Sequence, residues 1–475
     1  MTVRFPSLKL FNTESLQLEE LKPLDGKKVR MYTCGPTVYD YAHIGNFRTF
    51  VFEDVMRKAI QFFGMKIEQV MNLTDVDDKT IRGAIAKNVS LDEFTSTYKK
   101  AFFEDMQELN IQRVEHYPCA TDYIPQMIDM CQKLLEKGFA YIGQDKSLYF
   151  AISKCPHYGK LSHLNLEDLQ AGVSLPNSQD EYVKEQRADF VLWKAYDPVR
   201  DGNIFWDSPF GKGRPGWHLE CSVMANCLLG ETIDLHAGGV DLIFPHHENE
   251  IAQSECCTGR QFSRLWVHAE HLLVDGRKMS KSLGNFYTLR DLLQRGYTGK
   301  AIRFLFMQSH YRMQLNFTMQ GLDSASQALK RINDFIVRLE TYEGSSHPER
   351  PDVDAFIQEA LVSFATALSN DLNVPEATSV VFEMIRLVNG FCDQNRLTRS
   401  DAQRILDTLK EMDSVLGVCS FTHEAIPLEI QKLVDARQEA RAKKNFALSD
   451  SIRQELLDKG YVLEDTAQGA RVKRK

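Results

Sequence analysis

The sequence has no long apolar run and no export signal. No stretch approaches the ~18 apolar residues of a membrane-spanning helix, and residues 1–10 lack the charged-then-apolar order of a signal peptide. None of the ten cysteines forms a C-x-x-C pair, which excludes a disulfide scaffold and favours buried, metal-binding or nucleophilic thiols. We therefore expect a cytoplasmic protein without a membrane segment.

The charge is weakly acidic and uneven along the chain. The 57 basic and 65 acidic residues give a net charge of -8, which argues against a protein that coats nucleic acid by bulk charge. Residues 428–475, by contrast, hold 11 basic and 8 acidic residues. A basic end of this kind is typical of contact with a phosphate backbone, although a solvated tail would have the same composition.

The first part of the chain alternates strands with helices. Residues 28–34 alternate apolar and polar side chains and end at Gly35-Pro36, which predicts a strand followed by a loop. Apolar spacing predicts a helix over 46–64, a second strand over 67–73 and a helix that opens at Ser90. Strands and helices in alternation predict a parallel α/β sheet.

The alternation of strands and helices is then interrupted. Residues 118–205 combine a helix near 125–137 with a hairpin near 140–152, which we interpret as an insertion between two halves of one sheet. The strand–helix–strand order resumes over 233–236, 245–257 and 266–274.

From Thr288 onward, we expect the chain to be almost entirely helical. Three amphipathic stretches predict a helical bundle: 353–371, 376–393 and 400–415. A break at 419–427 precedes the basic C-terminal module.

His43-Ile-Gly-Asn46 follows a predicted strand and opens a predicted helix. The start of a helix offers unpaired backbone N–H groups and the positive end of the helix dipole, where a phosphate can bind. Gly45 permits close approach of a flat ligand, and His43 can donate to phosphate oxygens. Four residues alone match often by chance, so a merely polar helix start is the competing interpretation.

Lys278-Met-Ser-Lys-Ser282 is a basic loop flanked by Gly276 and Gly284. Two lysines in such a loop can close over a triphosphate and stabilise the charge that develops as pyrophosphate leaves. A solvated basic loop is the alternative, and the glycines make it the weaker one.

Four potential metal ligands occur in separate predicted elements. Cys34 ends a strand and Cys221 opens a helix, while His246 and Glu250 share a helix face because they are four residues apart. Together they form a Cys₂HisGlu set of the kind that binds zinc. The neighbours His247 and Glu248 remain alternatives that spacing does not exclude, and each ligand alone also fits a buried thiol or a capping histidine.

Two further signals are discounted. The stretch 211–216 matches GxGxxG but contains Pro215 and follows an aromatic loop, unlike the strand-to-helix turn of a dinucleotide site. We interpret Cys256-Cys257 as a thiol pair at a helix end, not as a second metal site.

Several motifs together resemble one enzyme family. HIGN and KMSKS, about 230 residues apart, resemble the HIGH and KMSKS signatures of class I aminoacyl-tRNA synthetases, with Asn46 in place of the second histidine. The stretches around Cys34 (CGPTVYD), Cys221 (GWHLECS) and His246 (FPHHENE) resemble the zinc-site segments of the cysteinyl-tRNA synthetase family. The stretches TDVDDK and VLEDTAQGARVKR resemble the same family.

The resemblance implies a role for each matching residue. One Zn²⁺ per chain would be held by Cys34, Cys221, His246 and Glu250. ATP with Mg²⁺ would contact His43, Gly45, Asn46, Lys278, Ser280 and Lys281. The catalytic residues among these would be His43, Asn46, Lys278 and Lys281. The L-cysteine pocket would be lined by Cys34, Gly35, Thr74, Trp217 and His236, although Trp217 also fits an ordinary core aromatic.

The implied activity is ATP-dependent attachment of L-cysteine to the 3′ end of tRNA(Cys), through cysteinyl-adenylate and with release of pyrophosphate. Zinc–thiolate coordination would select cysteine over serine, so no editing domain is expected. The chain is expected to act as a monomer. Two alternatives stay open: a ligase that joins cysteine to an amino-sugar, and a catalytically silent paralogue that binds RNA or senses cysteine.

The implied fold is a Rossmann-like parallel sheet split by an insertion, followed by an α-helical bundle and a small C-terminal module. We predict six segments in chain order: catalytic first half 1–117, connective insertion 118–205, catalytic second half 206–275, KMSKS and stem-contact connection 276–317, tRNA-binding bundle 318–418 and anticodon-binding module 419–475.

Overall fold

A computed structural model describes residues 5–164, 189–280, 283–344, 351–421, 428–443, 445–466 and 469–474. The chain divides into two units, Met1–Cys419 and Ser420–Lys475, which are described separately. Residues 165–188 of the predicted insertion and Lys281 of the basic loop lie outside the described residues. Within the described ranges, no helix has the length and apolar character needed to cross a bilayer.

Strands and helices of the first unit are numbered in chain order. The strands are β1 (Lys9–Asn12), β2 (Gln17–Glu20), β3 (Lys28–Thr33), β4 (Lys66–Met71), β5 (Ala140–Ile142), β6 (Leu148–Phe150), β7 (Val191–Ala195), β8 (Gly213–Pro215), β9 (Ile233–Gly239), β10 (Ser263–Ala269), β11 (Leu272–Val274), β12 (Arg277–Lys278) and β13 (Leu315–Phe317). The helices are α1 (Ile44–Phe62), α2 (Asp78–Lys87), α3 (Leu91–Glu108), α4 (Ile124–Glu136), α5 (Pro198–Asp201), α6 (Trp217–Leu229), α7 (Glu248–Thr258), α8 (Leu289–Gln294), α9 (Gly299–Met307), α10 (Met319–Glu340), α11 (Val353–Ser369), α12 (Val374–Asp393) and α13 (Arg399–Leu416).

A parallel sheet in the order β10-β9-β3-β4 forms the centre of the first unit. Every residue of β9 is buried, as expected for a central strand covered on both faces. The chain passes from β3 to β4 on one side and later returns to β9 on the other side. The carboxyl ends of β3 and β9 therefore flank the switch point at which α/β sheets bind ligands, and the predicted fold class is confirmed.

The chain between β4 and β9 contains a second sheet, antiparallel and ordered β5-β6-β7-β8. Its buried face packs around Phe150 and Trp193, against Met127 and Cys131 of α4. The hairpin near 140–152 is thus two strands of this larger sheet. Helix α2, which the sequence interpretation omits, begins where the Asp77 carboxylate caps the N–H groups of Lys79 and Thr80.

The strand predicted at 266–274 is wrong, because the structure divides it between two sheets. Residues up to Ala269 belong to the parallel sheet, whereas β11 pairs with β12 and β13. Between them, the buried Arg48 guanidinium donates to the carbonyls of Glu270 and His271, and the Glu270 N–H donates to the Tyr311 carbonyl. Strand β13 is also an exception to the predicted all-helical second half.

The helical region closely follows the amphipathic stretches. Helices α11, α12 and α13 begin at the N-caps Asp352, Asn373 and Thr398, whose side chains accept backbone N–H groups of the first turn. In the second unit, α14 (Leu428–Ala442) and α15 (Phe446–Asp458) precede an antiparallel pair, β14 (Tyr461–Thr466) and β15 (Gly469–Arg474). Its small core consists of Ile430, Val434, Ile452 and Leu456.

A buried ion pair joins helix α1 to α9 in the helical region of the first unit. Asp54 of α1 lies 2.6 Å from the Arg303 guanidinium of α9, and both side chains are at most 1% exposed. Arg303 Nε also donates to the Leu416 carbonyl at the end of α13, at 2.6 Å. Burial alone would raise the pKa of Asp54, but Arg303 and Lys58 hold that pKa below its ordinary value.

We predict that Asp54→Ala destabilises the protein by about 3–5 kcal/mol, because it leaves the Arg303 cation buried without its counter-ion. Urea unfolding followed by circular dichroism measures the change. Glu383→Ala is the matched control, since it breaks the exposed Glu383–Arg386 pair and should change stability by no more than about 0.5 kcal/mol. Equal unfolding midpoints for the two variants would contradict the prediction.

Candidate active site and metal centre

Cys34 follows the last residue of β3, and a tight strand crossing fixes its position. The N–H of the next residue, Gly35, donates to Asn72 Oδ1 at 3.0 Å. A Cβ on Gly35 would lie 1.8 Å from the Asn72 carbonyl oxygen, so only glycine fits. The Cys34 thiol then faces Cys221 in the second turn of α6, with 3.9 Å between the sulfur atoms.

Glu250, on the first turn of α7, is the centre of the cluster. Its Oε1 lies 3.1 Å from His246 Nε2 and 3.9 Å from Cys34 Sγ. Its Oε2 lies 2.9 Å from Nε2 of His236 on β9. The ligand atoms of Cys34, Cys221, His246 and Glu250 all lie within 4.8 Å of one another, so the structure brings the four predicted ligands together.

Of the two alternative ligands, His247 lies beside the cluster and Glu248 does not. His247 Nε2 lies 3.4 Å from Cys34 Sγ, and His247 also meets Cys34, His236 and Glu250 within 4.8 Å. Its Nδ1 is 2.8 Å from His268 Nε2, a buried partner that has no local sequence signal. Glu248, by contrast, accepts the N–H groups of Gly159, Leu161 and Ser162 and does not join the cluster.

Burial governs the electrostatics of the cluster. It raises the pKa of the Glu250 carboxyl and of the Cys34 thiol well above their ordinary values. It lowers the pKa of His246 well below its ordinary value and that of His236 to about 3. Neutral imidazoles and acidic groups that lack a compensating cation suit a divalent ion, which would favour the thiolate and carboxylate forms. The donor set therefore fits zinc.

Aromatic rings and a second buried carboxyl surround the cluster. The Trp217 ring, partly exposed, stacks on His246 with 4.2 Å between centroids. His236 is fully buried and stacks on Trp266 at 4.6 Å. Thr74, in the chain that follows β4, donates its hydroxyl to Glu220 at 2.9 Å. The sequence interpretation missed Glu220, which only its place beside Cys221 hinted at.

The HIGN segment caps α1. His43 Nδ1 accepts the Asn46 N–H at 3.1 Å, and Asn46 Oδ1 accepts the His43 N–H at 3.2 Å. This reciprocal capping box satisfies two helix-start donors. Because Nδ1 is an acceptor, a neutral His43 carries its ring proton on Nε2 and can donate from there. Asn46, whose oxygen faces the backbone, keeps its amide NH₂ as a donor.

The described part of the KMSKS loop lies beside the HIGN segment. The Ile44 N–H donates to the Tyr287 carbonyl at 3.0 Å, and the rings of His43 and Phe286 meet edge to face at 5.5 Å. A Cβ on Gly45 would lie 3.4 Å from the Met279 methyl carbon. Two motifs that are distant in sequence are therefore neighbours.

Asn285 holds the described ends of that loop together, and the sequence interpretation missed it. Its Oδ1 accepts the Ser280 N–H at 2.9 Å, and its Nδ2 donates to the Lys278 carbonyl at 3.2 Å. An Asn after Gly284 is a local signal for this kind of loop closure. Lys278 is exposed at the end of β12.

Three family models match successive parts of the chain. Residues 20–327 match the family model described as the class I (C) tRNA synthetase catalytic domain, 363–420 match a DALR domain, and 423–472 match a cysteinyl-tRNA ligase anticodon binding domain. The cysteine–tRNA ligases of Protochlamydia amoebophila and Chlamydia felis are 57% and 55% identical over 469 residues, 98% of each chain. A methionyl-tRNA synthetase from Mycobacterium tuberculosis, in complex with methionyl-adenylate, superposes with a TM-score of 0.59 at 14% identity and covers 89% of this chain and 96% of its own.

We predict that Asn46→Ala lowers stability by about 0.5–1 kcal/mol, because the His43 N–H loses its acceptor. Asn46→Asp keeps the oxygen and adds a negative charge at the helix N-terminus, so it should match or exceed the wild type. Urea-unfolding midpoints of the three proteins test this. A wild-type midpoint for Asn46→Ala would mean that the capping box contributes nothing.

Proposed function

The chain belongs to the cysteine–tRNA ligases, a family of class I aminoacyl-tRNA synthetases, and on that premise we propose that it joins L-cysteine to the 3′ end of tRNA(Cys) with ATP. The buried cluster of Cys34, Cys221, His246 and Glu250 carries this proposal, because it places a thiol-selective site at the switch point of the sheet. The amino-acid carboxylate attacks the α-phosphorus, which yields cysteinyl-adenylate and pyrophosphate, and the acyl group then passes to the tRNA.

We propose that these four side chains hold one Zn²⁺ per chain. The sulfur atoms of Cys34 and Cys221 lie 3.9 Å apart. Two Zn–S bonds of ~2.3 Å at a tetrahedral angle would separate the sulfur atoms by about 3.8 Å, which is close to this distance. When bound, Zn²⁺ supplies a site that prefers the substrate thiolate to a hydroxyl. Apolar pockets separate close analogues by only about 1–3 kcal/mol, so selection at the thiol makes a separate editing site unnecessary.

The remaining pocket residues orient the substrate. Trp217 covers the cluster on the His246 side, and His236 steadies the Glu250 carboxylate. Thr74 is 2% exposed and is bound to Glu220, so we assign it to holding the shape of the pocket beside Gly35.

ATP with Mg²⁺ binds at the junction of the two motifs. His43 donates from Nε2 and Asn46 donates from its amide, while Gly45 lets the His43 ring and the Met279 methyl group lie close to the helix start. In this proposal Lys278, Ser280 and Lys281 bind the phosphates, and Lys281 lies outside the described residues. These groups act by positioning and by stabilising the charge on the departing pyrophosphate.

The helical region and the second unit bind tRNA in this proposal. The catalytic halves are 1–117 and 206–275, with 118–205 as the connective insertion and 276–317 as the stem contact. The bundle at 318–418 and the basic module at 419–475 hold the tRNA, and the module reads single-stranded anticodon bases by stacking and edge contacts. We place the reaction in the cytoplasm and assign it to a monomer.

We predict that full-length protein charges tRNA with cysteine and not with serine, and that a zinc chelator abolishes charging. Cys221→Ser should lower charging at least about 100-fold and remove the metal of this cluster, because a ligand is lost. Cys227→Ser is the matched control, since Cys227 is exposed on the same helix. Acid-precipitable labelled aminoacyl-tRNA and metal content are measured in parallel. Cysteine-dependent ATP consumption without tRNA charging would instead favour the amino-sugar ligase.

We predict that deleting residues 420–475, a separate unit, collapses tRNA charging while cysteine-dependent ATP–pyrophosphate exchange survives. The first unit contains the described catalytic residues, so adenylate formation should not need the second. Exchange and charging assays on the truncated chain test this. Unchanged charging would remove the tRNA role of the module, and lost exchange would show that the two units are not independent.

A further inference from the structure

A second group of metal-ligating side chains lies away from the Cys34 cluster. Cys155 and His157 come after β6, a strand of the antiparallel sheet in the insertion. Cys256 lies in the last turns of α7. The ligand atoms of the three residues lie within 4.8 Å of one another. Both cysteines are buried, whereas the His157 side chain is 37% exposed, which gives solvent access to the group.

The spacing of Cys155 and His157 fits two ligands of a tetrahedral ion. Cys155 Sγ lies 3.6 Å from His157 Nε2, and Zn–S and Zn–N bonds of ~2.3 and ~2.1 Å give about 3.6 Å at a tetrahedral angle. A turn fixes these two ligands, since the Cys155 N–H donates to the Ile152 carbonyl at 2.9 Å and the Tyr158 N–H donates to the Cys155 carbonyl at 3.2 Å. Cys256 completes the group from a helix.

The charges around the group also suit a divalent cation. The nearby Glu255 carboxylate is already paired with Lys160 at 2.9 Å, and its other oxygen lies 3.2 Å from His157 Nε2. A divalent ion held by these three residues would therefore lie beside the Glu255 carboxylate, which favours a cation there.

We propose that Cys155, His157 and Cys256 form a second zinc site, with the fourth coordination position open to water on the His157 side. This site goes beyond the proposed function and does not depend on it. It also revises the interpretation of Cys256-Cys257 as a simple thiol pair. Only Cys256 joins the group, whereas the backbone carbonyl of Cys257 accepts from Lys137.

The second site would clamp the insertion to the helix that carries Glu250. Directly after His157, the Tyr158 hydroxyl donates to Asn249 at 2.5 Å and the Gly159 N–H donates to Glu248 at 2.8 Å. Residues 155–162 thus contact the first turn of α7, and Cys256 lies two turns further along the same helix. An ion bound by all three ligands would fix this segment to α7.

Metal content of the full-length protein tests the proposal. Protein purified with a non-thiol reductant is equilibrated with Zn²⁺, desalted over metal-free resin and analysed by mass spectrometry for zinc. We expect about two equivalents per chain in the wild type and about one in Cys155→Ser, Cys256→Ser and His157→Gln. His157→Gln is partly exposed and therefore safe for folding, and Cys257→Ser is the matched control, which should keep both ions.

Two further readouts separate this site from the first. Cys221→Ser should lose one ion and keep the second, so failure of either site is seen independently of the other. Hydrogen exchange of the peptide that contains residues 155–164 should be faster in His157→Gln than in Cys257→Ser. The proposal would be overturned if the wild type bound only one zinc per chain and that ion was the one in the Cys34 cluster. It would also be overturned if all three ligand variants kept two zinc ions per chain.

Discussion

A carboxylate with no exposed surface, Glu250, is the constraint on which the arrangement of the first unit depends. Removing an ionised carboxylate from water costs several kcal/mol unless partners surround it. Here the partners come from a strand end, a strand interior and a helix: Cys34, His236 and His246. Because these elements meet only when the parallel sheet is complete, the buried cluster and the sheet are formed together.

Helix α1 connects several distant parts of the first unit through its contacts. One helix, α1, begins at the reciprocal cap of His43 and Asn46 and contains both Arg48 and Asp54. Its start meets the KMSKS connection, its second turn holds the carbonyls of Glu270 and His271, and its middle holds the Arg303 cation. The helix thereby fixes the HIGN segment relative to the helical region as well as to the sheet.

Local signals in the sequence were enough for most elements, whereas the choice of His246 and Glu250 over His247 and Glu248 came from the family resemblance. Helical spacing placed His246 and Glu250 on one face, and strand ends placed Cys34 at the edge where ligands bind. The break after Ala269 was not predictable, because its cause, Arg48, lies more than two hundred residues earlier in the chain. His268 and the meeting of Cys155 with Cys256 were missed for the same reason: only the folded chain brings such distant residues together.

The carbonyl contacts of Arg48 have a mechanical consequence. They tie the chain just before β11 to the helix that begins at His43. Gly276 and Gly284, both in the left-handed region, flank the basic loop on the far side of that attachment. The chain therefore leaves a segment that is held to α1 before it enters the basic loop, and any side chain placed at Gly276 or Gly284 would strain the left-handed backbone there.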